Sequence, residues 1–274
     1  MGKRKSDDMS FLDHLEELRW HLIRSTIAIV ALGIIAFFAK DFLFDTIIFG
    51  PSKSDFPTFK LLCSAATAMG FEEAFCFTEL PFRVQSRTMA GQFSAHIWTS
   101  ITAGFIVAFP YVLYEFWKFI SPGLKRKERR SSRGFIVVAS LLFFTGVLFG
   151  YYIVTPLSIN FLGTYQVSEQ VFNDFDLDSY IGTVRSAAVA SGLIFELPII
   201  IFFLAKIGLV TPAFLRKNRK YALVILLILS AIITPPDLAS QIVVVLPLIV
   251  LYEVSIFIAK IVEKRELKKQ PAHG

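Results

Sequence analysis

The stretch Leu22-Ile23-Arg24-Ser25-Thr26-Ile27-Ala28-Ile29-Val30-Ala31-Leu32-Gly33-Ile34-Ile35-Ala36-Phe37-Phe38-Ala39 carries a single charge, Arg24. As a helix it is long enough to cross the roughly 30 Å of bilayer hydrocarbon and stay there. Charges are scattered through residues 1–20 ahead of it, which is not the pattern of a cleavable signal peptide. Five more apolar runs follow, at Ser94–Trp117, Gly134–Thr155, Ile181–Leu204, Tyr221–Ile233 and Ile242–Ile261. The chain is 54% apolar and 18% charged, with a mean hydropathy of +0.60. These values exclude an ordinary soluble globular protein. They point to an all-α polytopic membrane protein of six transmembrane helices.

The fifth run is short: Tyr221–Ile233 makes about 20 Å of helix. Either its polar flanks snorkel, or this end of the molecule thins the bilayer. The turn behind it, Thr234-Pro235-Pro236-Asp237, cannot continue a helix.

The net charge of +6 is a topology signal in such a chain, not a sign of nucleic acid as partner. With both termini on one side, the segments there hold 22 of the 28 Lys and Arg residues. The positive-inside rule then puts both termini in the cytoplasm. The layout is an amphipathic N-terminal helix over 1–21, a six-span membrane domain over 22–262 and a tail over 263–274. Its outer loops are 40–93 and 156–180, and 234–241 is a short outer turn. Its cytoplasmic loops are 118–133 and 205–220. The basic cluster Lys125-Arg126-Lys127-Glu128-Arg129-Arg130 reads first as a topology determinant touching anionic lipid. The long first outer loop reads as a small ordered cap. It contains both cysteines, Cys63 and Cys76, which form a disulfide in an oxidising compartment or stay as two buried thiols.

Glu196, in Phe195-Glu196-Leu197-Pro198, is an acid at membrane depth and must face protein or water. It is either a functional acid or a protonated carboxyl bonded to a backbone carbonyl freed near Pro198. Glu253 lies inside the sixth run. Glu115 sits one turn before Lys118, a candidate ion partner. Pro110, Pro156, Pro198 and Pro247 each bend a helix and point to a curved, concave bundle. Ahead of the first span, Ser10 and Asp13 stand at capping-box positions. Phe11, Leu15, Leu18 and Leu22 recur at helical spacing, leaving Glu16 and Glu17 on or beside the polar flank.

His14-Leu15-Glu16-Glu17-Leu18-Arg19 resembles the N-terminal signature of the TatC family, core subunits of the twin-arginine protein translocase. Further landmarks match in order. They are the run from Pro110 to Leu124, Glu128-Arg129-Arg130, Phe195-Glu196-Leu197-Pro198, Thr234-Pro235-Pro236-Asp237 with Gln241, and Leu251-Tyr252-Glu253. The resemblance covers about residues 10–262. It implies six spans in a cupped bundle in the bacterial inner membrane, with both termini cytoplasmic. It also implies recognition of signal peptides bearing two arginines, recruitment of TatA (and TatB where present) within an oligomeric translocase, and export of folded proteins by the proton-motive force. No cofactor and no covalent chemistry are implied.

On that resemblance Glu17 and Glu128 are the carboxylates for the two arginines, since guanidinium pairs with carboxylate through charge-assisted bonds. Arg19 positions Glu17, Phe119 packs on the apolar part of the peptide, and Glu196 contacts a partner's transmembrane helix. The long first outer loop and an acid at position 115 depart from the family pattern, and Glu115 takes no role.

Two other function classes remain to compare. A proton-coupled small-molecule transporter would use Glu196 and Glu253, but no internal repeat accompanies them. An intramembrane enzyme needs paired catalytic groups at membrane depth. His96, at the outer edge of a span, has no catalytic or metal-binding constellation around it.

Overall fold

Hydrocarbon offers no partner to an exposed amide, so the chain satisfies its backbone internally as helix. The computed structural model describes residues 11–68, 82–120, 132–168, 170–171, 173–235 and 237–267. Helix α1 (Phe11–Phe38) leads into a π-helical segment (Phe42–Ile48) and a 3-10 turn (Gly50–Ser52). Then come α2 (Pro57–Ala68), strand β1 (Arg83–Gln85), α3 (Gly91–Ile120) and α4 (Ser132–Phe149). A second π-helical segment (Gly150–Val154) joins α4 to α5 (Thr155–Thr164), which precedes strand β2 (Asp174–Asp176). The chain closes with α6 (Leu177–Phe195), α7 (Leu197–Lys206), α8 (Pro212–Lys217), α9 (Arg219–Ile233) and α10 (Leu238–Leu267).

Among the described residues, five stretches are long and apolar enough to cross a membrane: Leu15–Phe38, Gly91–Ile120, Gly134–Thr164, Leu177–Lys206 and Ser240–Arg265. The remaining apolar run is α9, whose 15 residues make about 22 Å of helix. It stops at Thr234, whose hydroxyl donates to the Ser230 carbonyl at 2.8 Å. Asp237 then caps the start of α10 by accepting from the Ser240 amide at 2.8 Å. Gln241 donates to the Leu227 carbonyl at 3.2 Å, tying α10 back to α9.

Contacts divide the chain into two units. The first is built from α1, α3 and the start of α4. Pairings of His21 with Glu115, Gly33 with Gly104 and Phe37 with His96 show that α1 and α3 run antiparallel. Near mid-length the two backbones touch. A Cβ on Gly104 would lie 2.5 Å from the Gly33 amide nitrogen and the Ile29 carbonyl. Small residues at a crossing let membrane helices approach this closely. At one end the His96 ring stacks on Phe37 with centroids 3.9 Å apart. Its Nε2 donates to the Phe37 carbonyl at 3.0 Å, closing the last turn of α1. His96 therefore has a packing role.

The second unit holds α2 and α5 to α10. Its core gathers Val154, Ala187, Phe195, Leu226, Val244, Val245 and Leu248. Gly146 faces the Ser191 carbonyl, where a Cβ would lie 2.6 Å away. A helix continues past Pro156, where the sequence reading ends the third span. Proline removes an amide and crowds the carbonyl four residues back. The π-helical turn absorbs that clash, and the freed Tyr152 carbonyl accepts a hydrogen bond from the Thr58 hydroxyl.

The expected cap is ordered where it is described. Tyr151 and Tyr180 donate to the Ile47 and Ile48 carbonyls at 2.8 and 2.9 Å. Phe56 stacks on Tyr152 with centroids 5.5 Å apart. Strands β1 and β2 pair in parallel, Arg83 opposite Asp174, an element the sequence reading lacks. Cys63 on α2 is disulfide-bonded, and Cys76 lies outside the described residues.

Gly104→Ala is expected to lower stability by about 1–3 kcal/mol, because its new methyl group meets backbone and not a yielding side chain. Gly33→Ala should cost less, since its Cβ comes no nearer than 3.3 Å to the Ser100 carbonyl. Thermal unfolding in detergent, with the two variants side by side, checks the order.

Candidate functional site

The polar end of the first unit is assembled from one face of α1 and one of α3. Glu17, His21 and Arg24 are spaced by four and three residues, so they share a face of α1. Tyr111, Glu115 and Phe119 are spaced by four on α3 and share a face there. His21 is 6% exposed and Glu115 3%. The His21 Nδ1–H donates to Glu115 Oε2 at 2.5 Å. Arg24 Nη1 stands 4.0 Å from the same oxygen, with its guanidinium reaching solvent or headgroups. Tyr111 stands one turn before Glu115 on that face. The Phe119 ring meets the His21 ring edge-on at 6.1 Å between centroids.

Because the helices are antiparallel, Glu17, one turn before His21, comes level with Phe119, one turn after Glu115. Glu17 is half-buried, and its Oε2 is fully buried without a hydrogen-bond partner. A buried acceptor left unpaired costs about 1–3 kcal/mol, more when charged. Of the expected site residues, Glu17 lies one turn from His21 on α1, and the Phe119 ring meets the His21 ring. Arg19, two residues on from Glu17, faces elsewhere. It is exposed and borders an open groove of about 440 Å³ with Leu15, Leu18 and Leu22. Glu128 lies outside the described residues.

In the second unit, Glu196 sits at the junction of α6 and α7, where Pro198 opens the new helix. The Ile199 and Ile200 amides both donate to the Glu196 carbonyl, at 2.9 and 3.0 Å. The side chain is 7% exposed, and its Oε1 has no hydrogen-bond partner. Glu253 is spoken for: Arg219 Nη2 donates to its Oε2 at 2.7 Å, joining the start of α9 to α10. Among the described residues no group of three or more His, Cys, Asp or Glu side chains stands together to hold a metal ion.

The sequence reading misses the role of His21. It looks to Lys118, one turn on, as the partner of Glu115. The hydrogen bond, however, comes from a residue 94 positions away in the chain. The available signal was the acid itself: Glu115 lies in an apolar run, and such a group must find a partner across a helix pair.

The family model described as "Sec-independent protein translocase protein (TatC)" matches residues 13–247. The chain belongs to the TatC family. A TatC protein of Blattabacterium sp. subsp. Periplaneta americana (strain BPLAN) is 43% identical over 265 residues, covering 96% of this chain and 100% of its own. TatCy of Bacillus subtilis (strain 168) is 34% identical over 273 residues, 99% of this chain and 97% of its own. A crystal structure described as "Twin Arginine Translocase Receptor- TatC in DDM" superposes with a TM-score of 0.69 at 34% identity. It covers 90% of this chain and 99% of that one. This TatC-family chain is thus a multi-pass membrane protein of a protein translocase, and its work is protein transport.

The two buried acids should answer mutation in opposite ways. Glu196→Met loses no hydrogen bond at Oε1 and should leave the unfolding temperature unchanged or raised. His21→Ala strands the Glu115 carboxylate and should cost about 3–5 kcal/mol. Thermal unfolding of the purified protein in detergent measures both.

Proposed function

We propose that this chain is the receptor of its translocase: it binds signal peptides carrying two consecutive arginines and, with TatA and TatB-type partners in an oligomeric assembly, exports folded proteins by the proton-motive force. The observation that carries this reading is the buried, unpartnered Oε2 of Glu17, set level with Phe119 at the polar end of α1 and α3. An unpaired carboxylate gains most from a ligand that brings its own charge-assisted donors, and guanidinium presents a planar fork of them. In this reading Glu128, in the basic segment after α3, takes the second arginine. Phe119 offers apolar surface to the peptide's hydrophobic stretch. Arg19 acts from the neighbouring face and does not touch the cationic motif.

The basic residues favour both termini on the cytoplasmic side of a bacterial inner membrane, which puts Glu17 where a signal peptide first arrives. Glu196, with its unpaired Oε1 at the break between α6 and α7, is the group for a polar contact with a partner's transmembrane helix. The related crystal structure is itself described as a twin-arginine translocase receptor, which supports the same assignment.

A partly buried arginine–carboxylate pair is worth about 1–2 kcal/mol. Glu17→Ala should therefore weaken a twin-arginine peptide five- to thirtyfold by the order-of-magnitude conversion at 25 °C. A twin-lysine peptide should bind the wild type more weakly, and raised salt should reduce the difference. Fluorescence anisotropy with the detergent-solubilised protein reads all three. Equal affinity for the two peptides, in folded protein, refutes the receptor reading.

A further inference from the structure

Glu115 is an acid inside an apolar helix, almost fully buried and bonded across to α1 at 2.5 Å. Apart from the His96 bond to the Phe37 carbonyl at the far end of the pair, the α1–α3 contact described above is close packing. Gly33 meets Gly104 backbone to backbone, and Ala95, Ala108 and Phe109 line the α3 face. The glycine crossing fixes how near the helices come, and the His96 bond holds the end remote from Glu17, so neither directly sets the rotation at the Glu17 end. A hydrogen bond at that end has direction. On a helix each residue turns through about 100°, so slipping α1 by one residue would carry Glu17 off the face it shares with His21.

We propose that Glu115 is a positioning residue: through its bond to His21 it sets the rotation of α1 against α3, and so holds the Glu17 carboxylate level with Phe119 for the arginine-bearing peptide. The inference rests on the proposed role of Glu17. Arg24, 4.0 Å from the same oxygen, offsets the buried charge without occupying the His21 bond. The peptide itself does not reach Glu115, which is sealed under His21.

The test has two readouts on the full chain in detergent. Spin labels on Glu16→Cys and Phe116→Cys, both at exposed positions, report the α1–α3 distance without any peptide. Anisotropy reports twin-arginine peptide affinity. Glu115→Ala should broaden the distance distribution and weaken the peptide about tenfold, the effect of losing one buried hydrogen bond to a charged group. Glu115→Gln, which keeps an acceptor for His21, should restore both. In a Glu17→Ala background, Glu115→Ala should cause no further loss of affinity, because its effect passes through Glu17. A loss that persists there would overturn the proposal, as would an unchanged distance distribution in Glu115→Ala.

Should Glu115→Ala fail to fold, the double variant His21→Phe/Glu115→Leu removes the bond without leaving a stranded charge and takes its place in both readouts. Absence of arginine selectivity in the wild type would count against the receptor reading alone. The distance measurement would still decide whether Glu115 orients α1.

Discussion

A polar group taken into hydrocarbon must find its partner inside the protein, and this constraint shapes the chain at every level. It makes the apolar runs helices. It draws the Thr58 hydroxyl to the carbonyl that Pro156 leaves free. It joins His21 to Glu115 across two helices, and Arg219 to Glu253 where α9 begins. Against that background the polar atoms that stay unpaired stand out. Glu17 Oε2 and Glu196 Oε1 are buried acid oxygens without hydrogen-bond partners. Among the described residues these are the buried carboxylate oxygens left open, and the buried hydroxyls of Thr99, Ser100, Ser140, Ser158 and Ser191 are open too.

The two open acids differ in setting. Glu17 lies on an unbroken helix whose face is fixed by the next turn, where His21 is bonded and Phe119 packs. Glu196 lies at a helix break, with Pro198 opening the following segment and Phe149 packed 5.3 Å from Phe195 beside it. A carboxylate at a polar helix end suits a cationic ligand arriving from water. One at a break inside a long apolar stretch suits a polar group carried by another membrane helix. The receptor and recruitment roles proposed for the two sites follow that difference.

Much of this was legible in the sequence. Hydropathy alone places the apolar runs within a few residues of the observed helices, because the bilayer imposes their length. The stop of α9 at Thr234 is written in the prolines behind it and in Thr234 itself. What was not legible depends on long-range register or on local irregularity. The bond from His21 to Glu115 joins two helices that come as close as the Gly33–Gly104 crossing allows. No pattern within either helix announces it. The helix over Thr155–Thr164 continues past a proline because a π-helical turn yields first. The β1–β2 pair is three residues long and too short for any alternation to show. Of the expected site, Glu17 lies one turn from His21 and the Phe119 ring meets it, Arg19 turns to another face, and this histidine, without an assigned role, proves to be the joint between the two helices.

The central claim is that an arginine pair docks at the Glu17 end of α1 and α3. The most direct measurement is photo-crosslinking with a signal peptide that carries a reactive group next to its two arginines, followed by mass-spectrometric mapping on the protein. The account predicts adducts concentrated on residues 15–21, 116–120 and the segment around Glu128, lost when the arginines become lysines. Adducts that fall elsewhere, or that are indifferent to the arginines, would contradict it.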